Sequence, residues 1–335
     1  MPSPPNNQPY NPPRHRLAGV VMLLIWFSLI GFVIYQRQDI YDWWKLHSHE
    51  VPANVSAIAS QDTMTDYAEK VFYVNQPALT PKANFSEFCP NNGGEQTIVL
   101  GCYHPKQNGI YLLQVTDSRL NGVQQVTAAH EMLHAAYDRL SSSERERIDA
   151  LLTDYYKNGL DDKRILDTID AYKQSEPNDV VNEMHSIFGT EVSDLPAPLE
   201  EYYKQYFDNR SAVVAFANAY QSEFTSRQKN VEAADARLAD IKSQIDDLNA
   251  DLKTKQSEIA AEQSNLNNLR NSDVAAYNAA VPGYNQMVDA YNAEIRQVKT
   301  LITSYNALVI SRNATAGEAD QLTRELSSDA TPINR

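Results

Sequence analysis

His130 and His134 are four residues apart, and Glu131 directly follows the first. On an α-helix an i, i+4 pair shares one face about a turn apart. Two neutral imidazoles so placed can hold one tetrahedral metal ion, zinc above all. Glu131 leaves the helix at another angle and need not ligate. It can instead take a proton from a water that zinc makes acidic, while the metal polarises a carbonyl. The flanking residues Ala128, Ala129, Met132, Leu133, Ala135 and Ala136 predict a buried helix. Histidine or glutamate inside such a helix needs a partner.

A catalytic zinc has three protein ligands and one open position. Tyr137 and Leu140 stand where a continuation to HxxGxxH would require Gly and His, which excludes the metzincin arrangement. The best third ligand is Glu183, in Asn182-Glu183-Met184-His185-Ser186. Val180, Met184, Ile187 and Phe188 form an apolar face there, and Glu183 lies at its edge. A carboxylate in that position is costly unless paired or bound to metal. His185, Glu191 and His104 are rival ligands. His185, Tyr155, Tyr156, Tyr202 and Tyr203 are candidates to stabilise a developing oxyanion. An extended substrate could pair with Ile110 to Val115.

The elements that must position these groups are short strands followed by helices. Val71-Phe72-Tyr73-Val74, Thr97-Ile98-Val99-Leu100 and Ile110 to Val115 read as strands of a small sheet, separated by Asn/Gly clusters. The motif helix runs from about Val123 to Leu140. Ser141 or Ser143, with Glu144 or Glu146 three residues on, forms a capping box for the next helix, which Asn158-Gly159 closes. Residues 161 to 174 give a third helix. A fourth begins at Pro177-Asn178-Asp179 and is expected to end at Gly189. A Tyr-rich helix follows, with Tyr202, Tyr203, Tyr206 and Phe207.

From about residue 211 apolar residues recur every seven: Phe224, Val231, Leu238, Ile245, Leu252, Ile259 and Leu266. A second run carries Tyr284, Val288, Tyr291, Ile295, Val298, Ile302, Tyr305 and Val309. Sustained heptads predict coiled coil. Two runs of similar length predict an antiparallel hairpin turning at Asn271-Ser272-Asp273 or Pro282-Gly283, the rival being a parallel homodimer. Lys255 and Glu262 interrupt one seam.

Leu17 to Tyr35 is an uninterrupted apolar run. As a helix it spans roughly 28 Å, close to the bilayer core. Arg14 and Arg16 precede it, and Tyr41, Trp43 and Trp44 follow as an interfacial belt would. Tyr35-Gln36-Arg37-Gln38 offers no small-x-small cleavage site, so an uncleaved anchor is expected. The N-terminus would be cytoplasmic and the rest extracytoplasmic. Cys89 and Cys102 would then lie in an oxidising compartment, as a disulfide or as buried thiols. The net charge of −14, without a basic cluster, argues against a nucleic-acid partner.

HExxH with a downstream Asn-Glu-x-x-Ser resembles the gluzincin branch of the zincin metallopeptidases, over roughly residues 70 to 190. The resemblance implies His130, His134 and Glu183 as zinc ligands and Glu131 as general base. Ile187 replaces the acidic residue that thermolysin-like enzymes carry after the Ser. Asp138, one turn beyond His134, is the candidate to take that residue's place beside a ligand.

The expected architecture is α+β. A disordered tail (1–16), an anchor (17–36) and a juxtamembrane linker (37–65) lead to a zincin-like domain (66–210). A coiled-coil hairpin (211–327) and a frayed end (328–335) follow. The expected activity is zinc-dependent hydrolysis of a peptide or protein substrate, cell-wall peptides included. The coiled coil would bind a partner or a second copy. The alternative is an inactive zincin-fold scaffold, against which the intact Glu131 argues.

Overall fold

The computed structural model describes residues 1–3, 5, 14–90, 99–105 and 109–327. Residues 4 and 6–13 of the N-terminal tail, the C-terminal residues 328–335 and the strand residues Thr97 and Ile98 named above lie outside the described residues. The apolar run forms α1, Arg14–Tyr35. Helix α2, Arg37–Ser48, follows after a 62° bend. No single helix among the described residues is long and apolar enough to cross a membrane; the bent pair Gly19–Tyr35 and Arg37–Ser48 has the length and composition only when taken together.

The span 37–65, read as a linker, is instead structured. Helix α2 is tied to the domain by Asp42, whose side chain is 1% exposed. Its carboxylate accepts from Arg139 Nη1 at 2.7 Å and Nη2 at 3.1 Å, and from Gln38 at 2.9 Å. Helix α3, Ala53–Gln61, inserts Val55, Ile58 and Ala59 into the core. Arg139→Ala removes the two-pronged partner of buried Asp42 and leaves it only Lys70 at 3.5 Å and Gln38, so it is expected to cost about 3 kcal/mol in urea unfolding of the full chain. A loss below about 1 kcal/mol would mean that the pair is no more than a surface contact.

Val71 to Val74 belongs to a helix, α4, Asp66–Val74, and not to a strand. Thr65 caps it by accepting from the Ala68 N–H, and Asp66 and Glu69 sit in the first turn where the helix dipole favours acids. Ala68, Val71 and Phe72 bury one helical face. A four-residue apolar run has no periodicity of its own, which is why it reads equally as a strand.

The sheet has three strands: β1, Ala78–Thr80; β2, Gly101–His104; and β3, Gly109–Leu113. Its order is β1-β3-β2, with β1 parallel and β2 antiparallel to the central strand. The predicted strand over residues 110–115 is thus β3, but it is paired on both sides. The edges are β1 and β2, and the one that lines the cleft is β2, in register Gly101 to Leu112 and His104 to Gly109. Helix α5, Lys82–Phe88, is joined to that edge by a disulfide between Cys89 and Cys102.

Helix α6, Val123–Tyr137, carries the motif and lies against the sheet. Ser141 and Glu144 form the reciprocal capping box of α7, Ser142–Asn158. Helices α8, Lys163–Ser175, and α9, Val180–Glu191, follow. Gly189 does not end α9. It lies inside the helix, where a Cβ would meet Leu133 Cδ1 at 2.5 Å and Tyr203 Cε1 at 2.8 Å. The glycine lets α9 pack closely on α6. The Tyr-rich segment forms α10, Ala197–Tyr203.

Helices α11, Arg210–Ser272, and α12, Val274–Leu326, make the antiparallel hairpin, turning at Asp273. Asp273 caps α12 by accepting from the Ala276 N–H, and Pro282 is carried within that helix. Lys255, which interrupts a seam, bonds to Glu294 across the hairpin at 2.8 Å. Arg312 meets Asp235 at 2.9 Å. Both ends of the hairpin are rooted in the domain. Arg210 is buried, donating to Val192 O and paired with Glu200. Leu322 and Leu326 pack against Leu120 and Val123, the latter in the first turn of α6.

Candidate metal centre and cleft

Helix α6 packs along α9, and this contact brings the three proposed ligands together. His134 Nε2 lies 3.0 Å from His130 Nε2. Glu183 Oε1 is 3.4 Å from His134 Nε2, and Oε2 is 3.5 Å from His130 Nε2. Ligand atoms at the usual zinc distances on a tetrahedron sit about 3.3 Å apart. The triad therefore has the spacing of three tetrahedral vertices. Glu183 is only 6% exposed, and its Oε2 accepts no hydrogen bond. Burial raises the Glu183 carboxyl, but His134 and His130, helped by Tyr172, outweigh burial and hold it below its ordinary range. A buried carboxylate with an unsatisfied oxygen, facing two imidazoles, is a donor set that zinc fits.

The triad opens into a cleft of about 1000 Å³. Glu131 lines it, 7% exposed, beneath the edge strand β2. The position of its side chain depends on Gly101. A Cβ there would stand 2.6 Å from Thr127 Cγ2 and 2.9 Å from Glu131 Oε1. Thr127 is short, β-branched and donates to Val123 O at 2.8 Å, whereas Glu131 Oε1 is the far end of a long side chain and the more movable neighbour. Gly101→Ala is expected to push Glu131 aside and to lower kcat about 10- to 100-fold, with the metal content unchanged. Loss of the metal along with the rate would show a wider collapse of α6.

All four residues of β2 line the cleft. Alternation puts Tyr103 on the same face of the strand as Gly101. Burial, and then Asp138, pushes the Tyr103 hydroxyl up to about 12, so it is a neutral donor at ordinary pH. Tyr103 was missed because nothing in the linear sequence marks it. Only the strand's alternation and its place at the edge bring it to the cleft.

The other candidates separate. His185 does not line the cleft but lies in the core, bonded through Nε2 to Tyr202 at 2.8 Å, with its carbonyl accepting from Tyr203 at 2.6 Å. Burial, then His134 and His130, lowers it to about 3, so it is neutral. Tyr155 donates to Asp194 O and Tyr156 to Asp170. His104 meets Phe88 O at 2.7 Å, and Glu191 is held by Arg164 at 2.6 Å. None of these joins the triad. Asp138 does line the cleft, between Tyr103 and Arg145, whose guanidinium is 3.8 Å away. Glu176 and Asp179 extend the acidic side of the cleft, their carboxylates within 4.8 Å of Glu183. Burial raises Asp179 above its ordinary range.

Comparison of the chain with protein-family models, with curated proteins and with solved structures returned no match, so the reading of this centre rests on its own geometry.

Proposed function

We propose that this protein is a membrane-anchored zinc peptidase. The observation that carries the reading is the convergence of His130, His134 and Glu183 in an open cleft that Glu131 shares. Bound zinc would supply Lewis acidity and an acidic water. Glu131 then takes the proton as water attacks the scissile carbonyl and delivers it to the leaving amine. Tyr103, a neutral hydroxyl that lines the same cleft beside Asp138, is the candidate donor to the developing oxyanion. The outer edge of β2, and not β3, offers its backbone to an extended peptide. The apolar run Leu17 to Tyr35, the first half of the bent pair, supports reading α1 as the anchor, with Arg14 and Arg16 on the cytoplasmic side. The Cys89–Cys102 disulfide favours an oxidising compartment for the domain.

The test uses the full chain in detergent or lipid, assayed for metal by mass spectrometry and for cleavage with a quenched peptide library. The expected result is about one zinc per chain and hydrolysis that a chelator stops and zinc restores. A folded protein that binds zinc but cleaves nothing in the library would favour the scaffold alternative. One that binds no zinc would end both readings of the centre.

A further inference from the structure

Helix α2 is amphipathic in the reverse sense from a surface helix of a soluble domain. Its acidic side faces the protein, where Asp42 pairs with Arg139 and Asp39 with Lys70 at 2.7 Å. At 100° per residue, Ile40 and Trp44 fall on the side opposite Asp42, and Trp43 flanks them. These three side chains are 48%, 58% and 60% exposed. Trp43 packs against His47, their ring centroids 4.3 Å apart. A helix that turns its buried acid, Asp42, inward and its indoles outward, with the exposed Arg37 beside them, suits a lipid interface, which takes an aromatic ring and a basic side chain at the level of the headgroups.

The position of α2 in the chain names the occupant. It follows α1 after one residue, and α1 is apolar and exposed along its described length. If α1 stands along the membrane normal, the 62° bend lays α2 roughly 30° from the membrane plane, as an interfacial helix lies. The acidic residues and the ion pairs with the domain keep α2 out of the hydrocarbon. We infer that α2 is a lipid-docking surface: Ile40, Trp43 and Trp44 sit in the membrane interface while Asp42 fixes the helix to the peptidase domain. The inference rests on the anchor reading of α1. It adds that the domain is seated on the bilayer and not suspended above it on a flexible stalk.

The chain has three tryptophans, Trp26, Trp43 and Trp44, which makes the test direct. Full-length Trp26→Phe protein is reconstituted into phosphatidylcholine–phosphatidylglycerol vesicles, plain or brominated near the headgroup end of the acyl chains. Its emission, from Trp43 and Trp44 alone, is expected to be blue-shifted and to fall by roughly half or more in the brominated vesicles. Emission typical of water-exposed indole, equal in both vesicles, overturns the inference. Trp43→Phe/Trp44→Phe protein reports on Trp26, which bromines deep in the bilayer should quench. Quenching of Trp26 without quenching of Trp43 and Trp44 refutes the lipid-docked α2 alone. No quenching of any tryptophan refutes the anchor as well.

Discussion

Glu131→Gln is expected to keep its zinc and to lose peptide hydrolysis by about 10²- to 10⁴-fold in kcat, the range for a positioned general base. The substitution preserves the shape of a side chain that is 7% exposed and packed under Gly101. It removes the basic oxygen that must hold the proton between attack and departure. It leaves the ligand triad untouched, because Glu131 is not one of the three converging groups. Steady-state kinetics beside metal analysis checks the prediction. Wild-type turnover in Glu131→Gln would mean that another group takes the proton. Loss of the metal would place Glu131 in the coordination shell.

Removal of the third ligand should act on binding and stability together. Metal that binds only the folded state adds RT ln(1 + [L]/Kd), about 4 kcal/mol at a thousandfold excess over Kd. In the wild type that gain should appear as a melting temperature that rises with zinc and falls with a chelator. In Glu183→Ala the two imidazoles remain 3.0 Å apart, but no carboxylate completes the set, and the zinc-dependent rise should nearly vanish. Glu191→Ala is the matched control. Glu191 lines the same cleft but is engaged with Arg164 and Gln221, so its loss should leave the zinc response intact. A zinc response of wild-type size in Glu183→Ala, with the Glu191→Ala response lost, would reverse the assignment.

The residues of the centre were legible because their constraint is local. His130 and His134 are one turn apart on any helix, and the run of alanines around them announces burial. The Ser141–Glu144 box and the turn at Asp273 were legible for the same reason, since both depend on hydrogen bonds across three residues. Features set by distant packing were not. Whether Val71 to Val74 coils or extends is decided by the face that α4 buries against its neighbours. Gly189 carries an end signal in sequence but is needed for contact with Leu133 and Tyr203. Strand β1, only three residues long, exists because β3 offers it an edge. His185, a polar residue two positions from Glu183, is consumed by a tyrosine network whose members come from α10 and the residues after it. The seam defect at Lys255 became intelligible only once Glu294 stood opposite it.

The rooting of both hairpin ends has a mechanical meaning. From Leu322 to Asp273 the arm extends roughly 75 Å at the α-helical rise, yet both ends are held by the domain, Arg210 at Val192 and Glu200, and Leu322 and Leu326 at Leu120 and Val123. Matched heptads could therefore be excised from, or added to, the two arms without displacing the candidate metal centre or helices α1 and α2. Reach becomes a dimension that can be lengthened or shortened on its own, like the boom of a crane whose base stays bolted down. The distance at which the tip meets its surroundings is thus adjustable separately from the chemistry of the cleft.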